Sequence, residues 1–175
     1  MLFRGRQPDA AVWRRFRSGA DDFTFTVRDT HYEAHVTANA ERAVDLLHAL
    51  CEELPPAVDV SVEDRRTGRA WRGSAVALPD ARAAVARLKA PLAAYAGVEL
   101  SVYTSDDQLT LTPDLELFVY ARTDRWLYIL QGKGLVEVPA LRDDAFYIRP
   151  DELAPAPELD AALETTAERL GLEPA

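Results

Sequence analysis

The sequence predicts an α+β fold: an antiparallel sheet built from hairpin, helix, hairpin, helix and then a β-meander, with short helices at the N- and C-termini. Three observations lead there. Two pairs of segments alternate apolar and polar residues at period two, each pair closed by a short polar turn. Each pair is followed by a stretch with apolar residues at helical spacing. Strand candidates then follow one another without a further helix, and clustered strands with interposed helices imply an antiparallel sheet carrying its helices on one face.

Residues 8–18 read as a short basic helix, with Pro8 near its first position and Gly19 beyond its end. The segments "DFTFTV" and "HYEAHV" make the first hairpin. A turn at Asp29-Thr30 pairs Val27 with Tyr32, Phe25 with Ala34 and Phe23 with Val36, so the apolar side chains of both strands share one face. Thr24, Thr26, Arg28, His31, Glu33 and His35 then fall on the other. "NAERAVDLLHALCEEL" is the clearest helix: Asn39 caps it, Glu41 suits the positive end of its dipole, and Pro55-Pro56 stop it. Ala40, Ala43, Val44, Leu47, Leu50, Cys51 and Leu54 form its apolar stripe, which makes Cys51 a buried small hydrophobe.

The second hairpin runs through "VDVSVED", a turn around "RRTG", and "RAWRGSAVA". The helix "DARAAVARLKAPLAAYAG" follows, with Ala81, Ala84, Val85, Leu88, Leu92 and Tyr95 as its stripe. Pro91 should kink or divide it, and Gly97 should end it. Four strands come next: "VELSVYT", "QLTLT", "LELFVYAR" and "RWLYILQG". A turn at Thr123-Asp124 pairs Ala121 with Trp126, Val119 with Tyr128 and Leu117 with Leu130. The other face then carries Phe118, Tyr120, Leu127 and Ile129, so the hairpin 115–131 is apolar on both sides and should be covered on both. An uncovered face of this kind marks a binding surface, and a homodimer is one way to cover it. "PDELAPAPELD" is a linker, and Leu159, Ala162, Leu163 and Leu170 outline a last acidic helix that either docks on the body or stays free of it. The chain thus divides into a basic N-terminal arm (1–20), a single α+β domain (21–150) and an acidic C-terminal linker and helix (151–175).

Charge is unevenly spread. The formal net charge is −9, yet residues 1–20 hold five arginines against Asp9, which leaves −13 on the remainder. An acidic body repels phosphate backbones and favours basic partners, so nucleic acid is an unfavoured partner. No apolar run approaches the roughly 18 residues of a membrane span, and the N-terminus lacks an apolar signal-peptide core. A single cysteine allows no intrachain disulfide, so a reducing, cytoplasmic setting is expected.

Two stretches invite chemistry. His31, Glu33 and His35 project from one strand face, and two imidazoles with a carboxylate are the ligand set of many catalytic metal sites. The remaining histidine, His48, sits on a helix beside Asp45 and Glu52, opposite the apolar stripe. A helix on the wrong side of the sheet would be needed to bring it to the triplet, so a solvated strand face without metal is the expectation. At the second hairpin tip, Arg65, Arg66, Arg69 and Arg72 surround Trp71, a composition that can grip phosphate and stack on a base, or form a salt-bridged turn. "QGKGLVE" lacks the spacing of a phosphate-binding loop, and "RGSAV" lacks the glycines of a nucleophile elbow. Asp106-Asp107 fall in a turn, where carboxylates cap backbone groups.

No cofactor is expected. The function these features favour is a small acidic protein-binding module of adaptor, chaperone or inhibitor type, without catalysis and with a basic protein partner. Its contact candidates are Trp13, Phe16, Phe118, Tyr120, Leu127 and Ile129; Trp13 and Phe16, three apart on the arm helix, would give that arm an apolar anchor. The alternatives are a metal-dependent enzyme using His31, Glu33 and His35, and a nucleic-acid-binding module using the Arg65–Arg72 tip.

Overall fold

In the computed structural model, which describes residues 20–142 and 147–175, β1 (Asp22–Val27) and β2 (Tyr32–Thr37) pair antiparallel with Phe23 opposite Val36, Phe25 opposite Ala34 and Val27 opposite Tyr32. That is the register the alternation requires, because a slip of one residue would turn Phe23, Ala34 and Val36 away from the core. Helix α1 (Ala40–Leu50) begins where Asn39 Oδ1 accepts the Arg42 amide at 2.9 Å, and a 3₁₀ turn over Cys51–Glu53 carries its stripe on to Leu54. Ala40, Ala43, Val44, Leu46, Leu47, Leu50 and Cys51 are all buried. Burial pushes the Cys51 thiol up to about 12, so the thiolate is suppressed at neutral pH.

The second hairpin, β3 (Ala57–Asp64) and β4 (Arg69–Ala77), leads into α2 (Leu78–Tyr95). This helix runs undivided through Pro91 and ends where Ala96 and Gly97 both take positive φ. Its stripe packs on the sheet and on α1, and ion pairs between Lys89 and Asp45 and between Arg82 and Glu52, each 2.5 Å, zip the two helices along their flank. The flank bearing Asp45, His48 and Glu52 runs beside α2, with Asp45 and Glu52 still exposed.

A meander of β5 (Val98–Tyr103), β6 (Asp107–Leu111) and β7 (Leu117–Ala121) fills the centre of the sheet, with β5 against β3 and β7 against β2. The two hairpins consequently lie on opposite flanks of the meander. The expected fourth strand does not form. Residues Arg125–Gly132 are helix α3, so the hairpin 115–131 and its pairings of Ala121 with Trp126, Val119 with Tyr128 and Leu117 with Leu130 are replaced. Val119 instead lies between Ala34 and Leu109. The physical reason is the indole of Trp126: it is 0% exposed and donates from Nε1 to Asp107 Oδ1 at 2.9 Å, with Leu130 buried one helical turn later. With α3 in place, Leu127 and Ile129 pack partly buried against the core, and Tyr128 turns to solvent. Of the four residues on the second apolar face, Leu127 and Ile129 are thus packed against the chain's own core.

Short strands β8 (Val136–Glu137) and β9 (Glu173–Pro174) pair with β1 and β4. Among the described residues the result is an α+β fold of four helices and a nine-stranded open sheet in the order β8-β1-β2-β7-β6-β5-β3-β4-β9, antiparallel except for β1 with β8. The last helix, α4 (Pro157–Leu170), docks on α2 and buries Leu159, Leu163 and Ala167. It stops at Gly171 in the left-handed region, where the Leu172 amide reaches back to the Ala167 carbonyl. Leu172 then lies over Gly73, where any Cβ would come within 2.5 Å of its side chain. The expected N-terminal helix over 8–18 lies outside the described residues. No helix among those described is long and apolar enough to cross a membrane.

Candidate functional site

The described helices all lie on one face of this sheet, and alternation along each strand decides which residues meet them. Ala34, Val119, Leu109, Val102 and Val60 point to the helices and are buried. Their neighbours point the other way, and no described helix crosses them. One row on this open face runs Thr24, His35, Phe118, Thr110, Ser101, Ser61; the next runs Thr26, Glu33, Tyr120, Gln108, Tyr103, Asp59.

At the centre lies an aromatic row. The His35 ring stacks on Phe118 with centroids 4.1 Å apart and planes 15° from parallel; Phe118 lies 5.9 Å from Tyr120 at 8°, and His31 approaches Tyr120 at 5.9 Å. His35 is fixed by a 2.9 Å hydrogen bond between Nε2 and Glu116 Oε2, a pair that is mostly buried. The polar floor beside the rings is satisfied: the Ser101 and Thr110 hydroxyls meet at 2.8 Å, and Gln108 Nε2 donates to Thr110 Oγ1 at 2.9 Å. Phe118 and Tyr120 themselves remain half-buried. At the end of the row, a recess of about 190 Å³ opens between His31, Tyr120, Gln108, Asp106 and Arg122.

Carboxylates lie near these rings. Desolvation and the neighbouring Glu63 raise the Glu99 carboxyl above its usual range, against a smaller opposing pull from Arg65. Desolvation, then Glu33 and Glu99, raise the Tyr120 phenol, with Arg28 opposing. Burial is the leading cause of both shifts, and the nearby carboxylates add to it. A consequence is measurable. Because its folded-state pKa is raised, Glu99 contributes stability only at acid pH and loses it as pH rises through that value. Glu99→Gln should therefore raise the melting temperature slightly at pH 7, with the gain fading below about pH 4, where the free carboxyl is protonated as well.

The residues singled out in the sequence are distributed as follows. His31, Glu33 and His35 do share a face, but they make separate contacts: His31 Nδ1 with Thr30 Oγ1 at 3.2 Å, Glu33 with Arg28 at 3.1 Å, and His35 with Glu116. No group of three metal-ligating side chains converges among the described residues. His48 lies on α1, across the sheet from them. At the second hairpin tip, Arg66 is almost fully buried and donates to the carbonyls of Tyr95, Ala96 and Ala154, capping the C-terminus of α2 and fastening the segment that leads to α4. Arg69 spans from the Trp71 ring to Glu164 on α4, and Trp71 is 7% exposed, which leaves little ring to stack on a base. Of the contact candidates, Phe118 and Tyr120 lie on the open face; Leu127 and Ile129 lie on α3 over the opposite, helix-covered face; Trp13 and Phe16 lie outside the described residues.

Compared with protein-family models, curated proteins and solved structures, the chain matches none. The open face is therefore read from its own residues. Glu99, Tyr103, Glu63 and Glu116 were not singled out in the sequence, although the alternation of "VELSVYT" already sets Glu99, Ser101 and Tyr103 on one side. Asp107 was assigned to a turn; it opens β6 and accepts from Trp126 and from Arg125, the latter at 2.7 Å.

Proposed function

We propose that this chain is a protein-binding module that receives a basic, arginine-containing segment of a partner on the open face of its sheet. The observation that carries the reading is the coincidence of the aromatic row with carboxylates on the same face: Phe118, Tyr120, His31 and His35 supply flat ring surface, and Glu63, Glu99 and the Arg28-paired Glu33 lie near it. A guanidinium is suited to both, since it is weakly hydrated, stacks on aromatic surface and pairs with carboxylates through a planar fork. The ion pairs alone contribute ~0–1 kcal/mol each and are screened by salt, so the rings must supply much of the affinity. Two partly buried rings and a few such pairs suit a weak, exchangeable contact. An adaptor, a chaperone and an inhibitor would all act through a contact of this kind.

A titration followed by fluorescence anisotropy tests the proposal, using a labelled peptide that interleaves arginine with small neutral residues and a second peptide with glutamine at each arginine. The arginine peptide should bind at low salt and weaken steadily as sodium chloride is raised. Equal binding of the glutamine peptide, or no binding of either, would contradict it.

A further inference from the structure

We infer that the first occupant of the open face is the chain's own N-terminal arm, residues 1–19, held in cis so that a partner's basic segment must displace it. The inference rests on the reading of the face just given and names its resident ligand. Three observations support it. The first is composition. The arm interleaves Arg4, Arg6, Arg14, Arg15 and Arg17 with Trp13 and Phe16, while the rest of the chain carries −13. It thus combines the guanidinium and aromatic chemistry that an aromatic surface with nearby carboxylates takes, within the same molecule.

The second is the point of attachment. The arm joins the described chain at Ala20 and enters the sheet at Asp22, whose side chain lies on the same side of the sheet as the aromatic row, in register with Thr37, where it is buried and held by Arg142. From β1, the central strands β2, β7, β6 and β5 follow in order. Neighbouring strands are ~4.8 Å apart, so Glu99 on β5 lies roughly 19 Å across the sheet from β1. Trp13 precedes Asp22 by nine residues, which span about 20 Å with the expected helix kept to residue 18 and the remainder extended. The aromatic residues of the arm can therefore reach the aromatic row of the face.

The third is the arithmetic of a tether. A short tether holds its ligand at an effective concentration on the order of millimolar. A contact with an intrinsic dissociation constant of ~100 μM would then be closed about ten times more often than open, and a partner's segment would bind about tenfold more weakly than to an unoccupied face. Weak, salt-sensitive pairing suffices in cis and would leave the face exchangeable.

The test uses the full-length chain. Cys51 is fully buried and its thiol is pushed up to about 12, so a nitroxide label introduced at Gln7→Cys reacts there and spares Cys51. The label should broaden the amide signals of His35, Phe118, Tyr120 and Thr110 to the same extent at low and high protein concentration, and the Trp13→Ala/Phe16→Ala variant should relieve the broadening. That variant should also bind the arginine peptide about tenfold more tightly than the wild-type chain. Broadening spread over the helices, absent, or growing with protein concentration would overturn the assignment to the arm in cis. If the variant and the wild type bind the peptide equally, the arm is not the occupant while the face remains a basic-segment site. If neither binds, the reading of the face fails and this inference with it.

Discussion

Trp126→Ala should destabilise the fold by about 3–5 kcal/mol, whereas Tyr128→Ala should stay within about 0.5 kcal/mol of the wild type. The contrast follows from α3. Trp126 is 0% exposed and Tyr128 is 64% exposed, because a helix sends residues two apart to different sides. In the strand expected from the sequence, both residues would share a face and both substitutions would be costly. Trp126→Phe separates volume from hydrogen bonding: the ring largely fills the site, but one oxygen of the buried Asp107 loses its indole donor, a loss of roughly 1–3 kcal/mol. Urea unfolding of the three variants reads these differences directly. Equal losses for Trp126→Ala and Tyr128→Ala would contradict the helix.

The second large effect concerns binding. Phe118→Ala and Tyr120→Ala should each weaken the arginine peptide severalfold, since covering the part of each ring still exposed contributes a fraction of the roughly 1.5–3 kcal/mol of full burial. Both side chains lie on the face away from the described helices, so the variants should remain folded and lose less stability than Trp126→Ala. Leu127→Ala and Ile129→Ala make the opposite pair: they pack against the core from α3, so they should lower the melting temperature and leave affinity unchanged. Glu33→Gln with Glu99→Gln should weaken binding and also flatten its salt dependence, because the carboxylates act through the screened part of the interaction. Loss of affinity in Leu127→Ala equal to that in Phe118→Ala would mean that binding simply tracks stability.

Why some elements were legible in the sequence and others were not can be stated residue by residue. The β1–β2 hairpin was legible because two strands had to agree: one turn placed Phe23, Ala34 and Val36 on a single side. Helix α1 was legible because a cap, a stripe and a proline stop all agreed. "RWLYILQG" carried no such agreement. Its run from Trp126 to Leu130 is apolar at every position, so period two and period 3.6 fit equally well, and eight residues suit either element. What decides it is Asp107, eighteen residues earlier, whose buried carboxylate takes the indole and the Arg125 guanidinium. The aromatic row was legible in halves. Phe118 with Tyr120, and His31 with His35, were each placed on a strand face. Nothing local brings β7 beside β2, because some eighty residues separate the two strands and no single turn connects them. The role of Arg66 was hidden for the same reason, since its acceptors Tyr95, Ala96 and Ala154 lie far along the chain.

The most direct measurement of where this protein binds is a two-dimensional amide NMR titration of the ¹⁵N-labelled full-length chain with the arginine peptide. Shifts should concentrate on Glu33, His35, Phe118, Tyr120, Gln108 and Thr110, with α1, α2 and α4 left in place. Shifts confined to those helices or to the Arg65–Arg72 tip, or none at millimolar peptide, would contradict recognition on the open face.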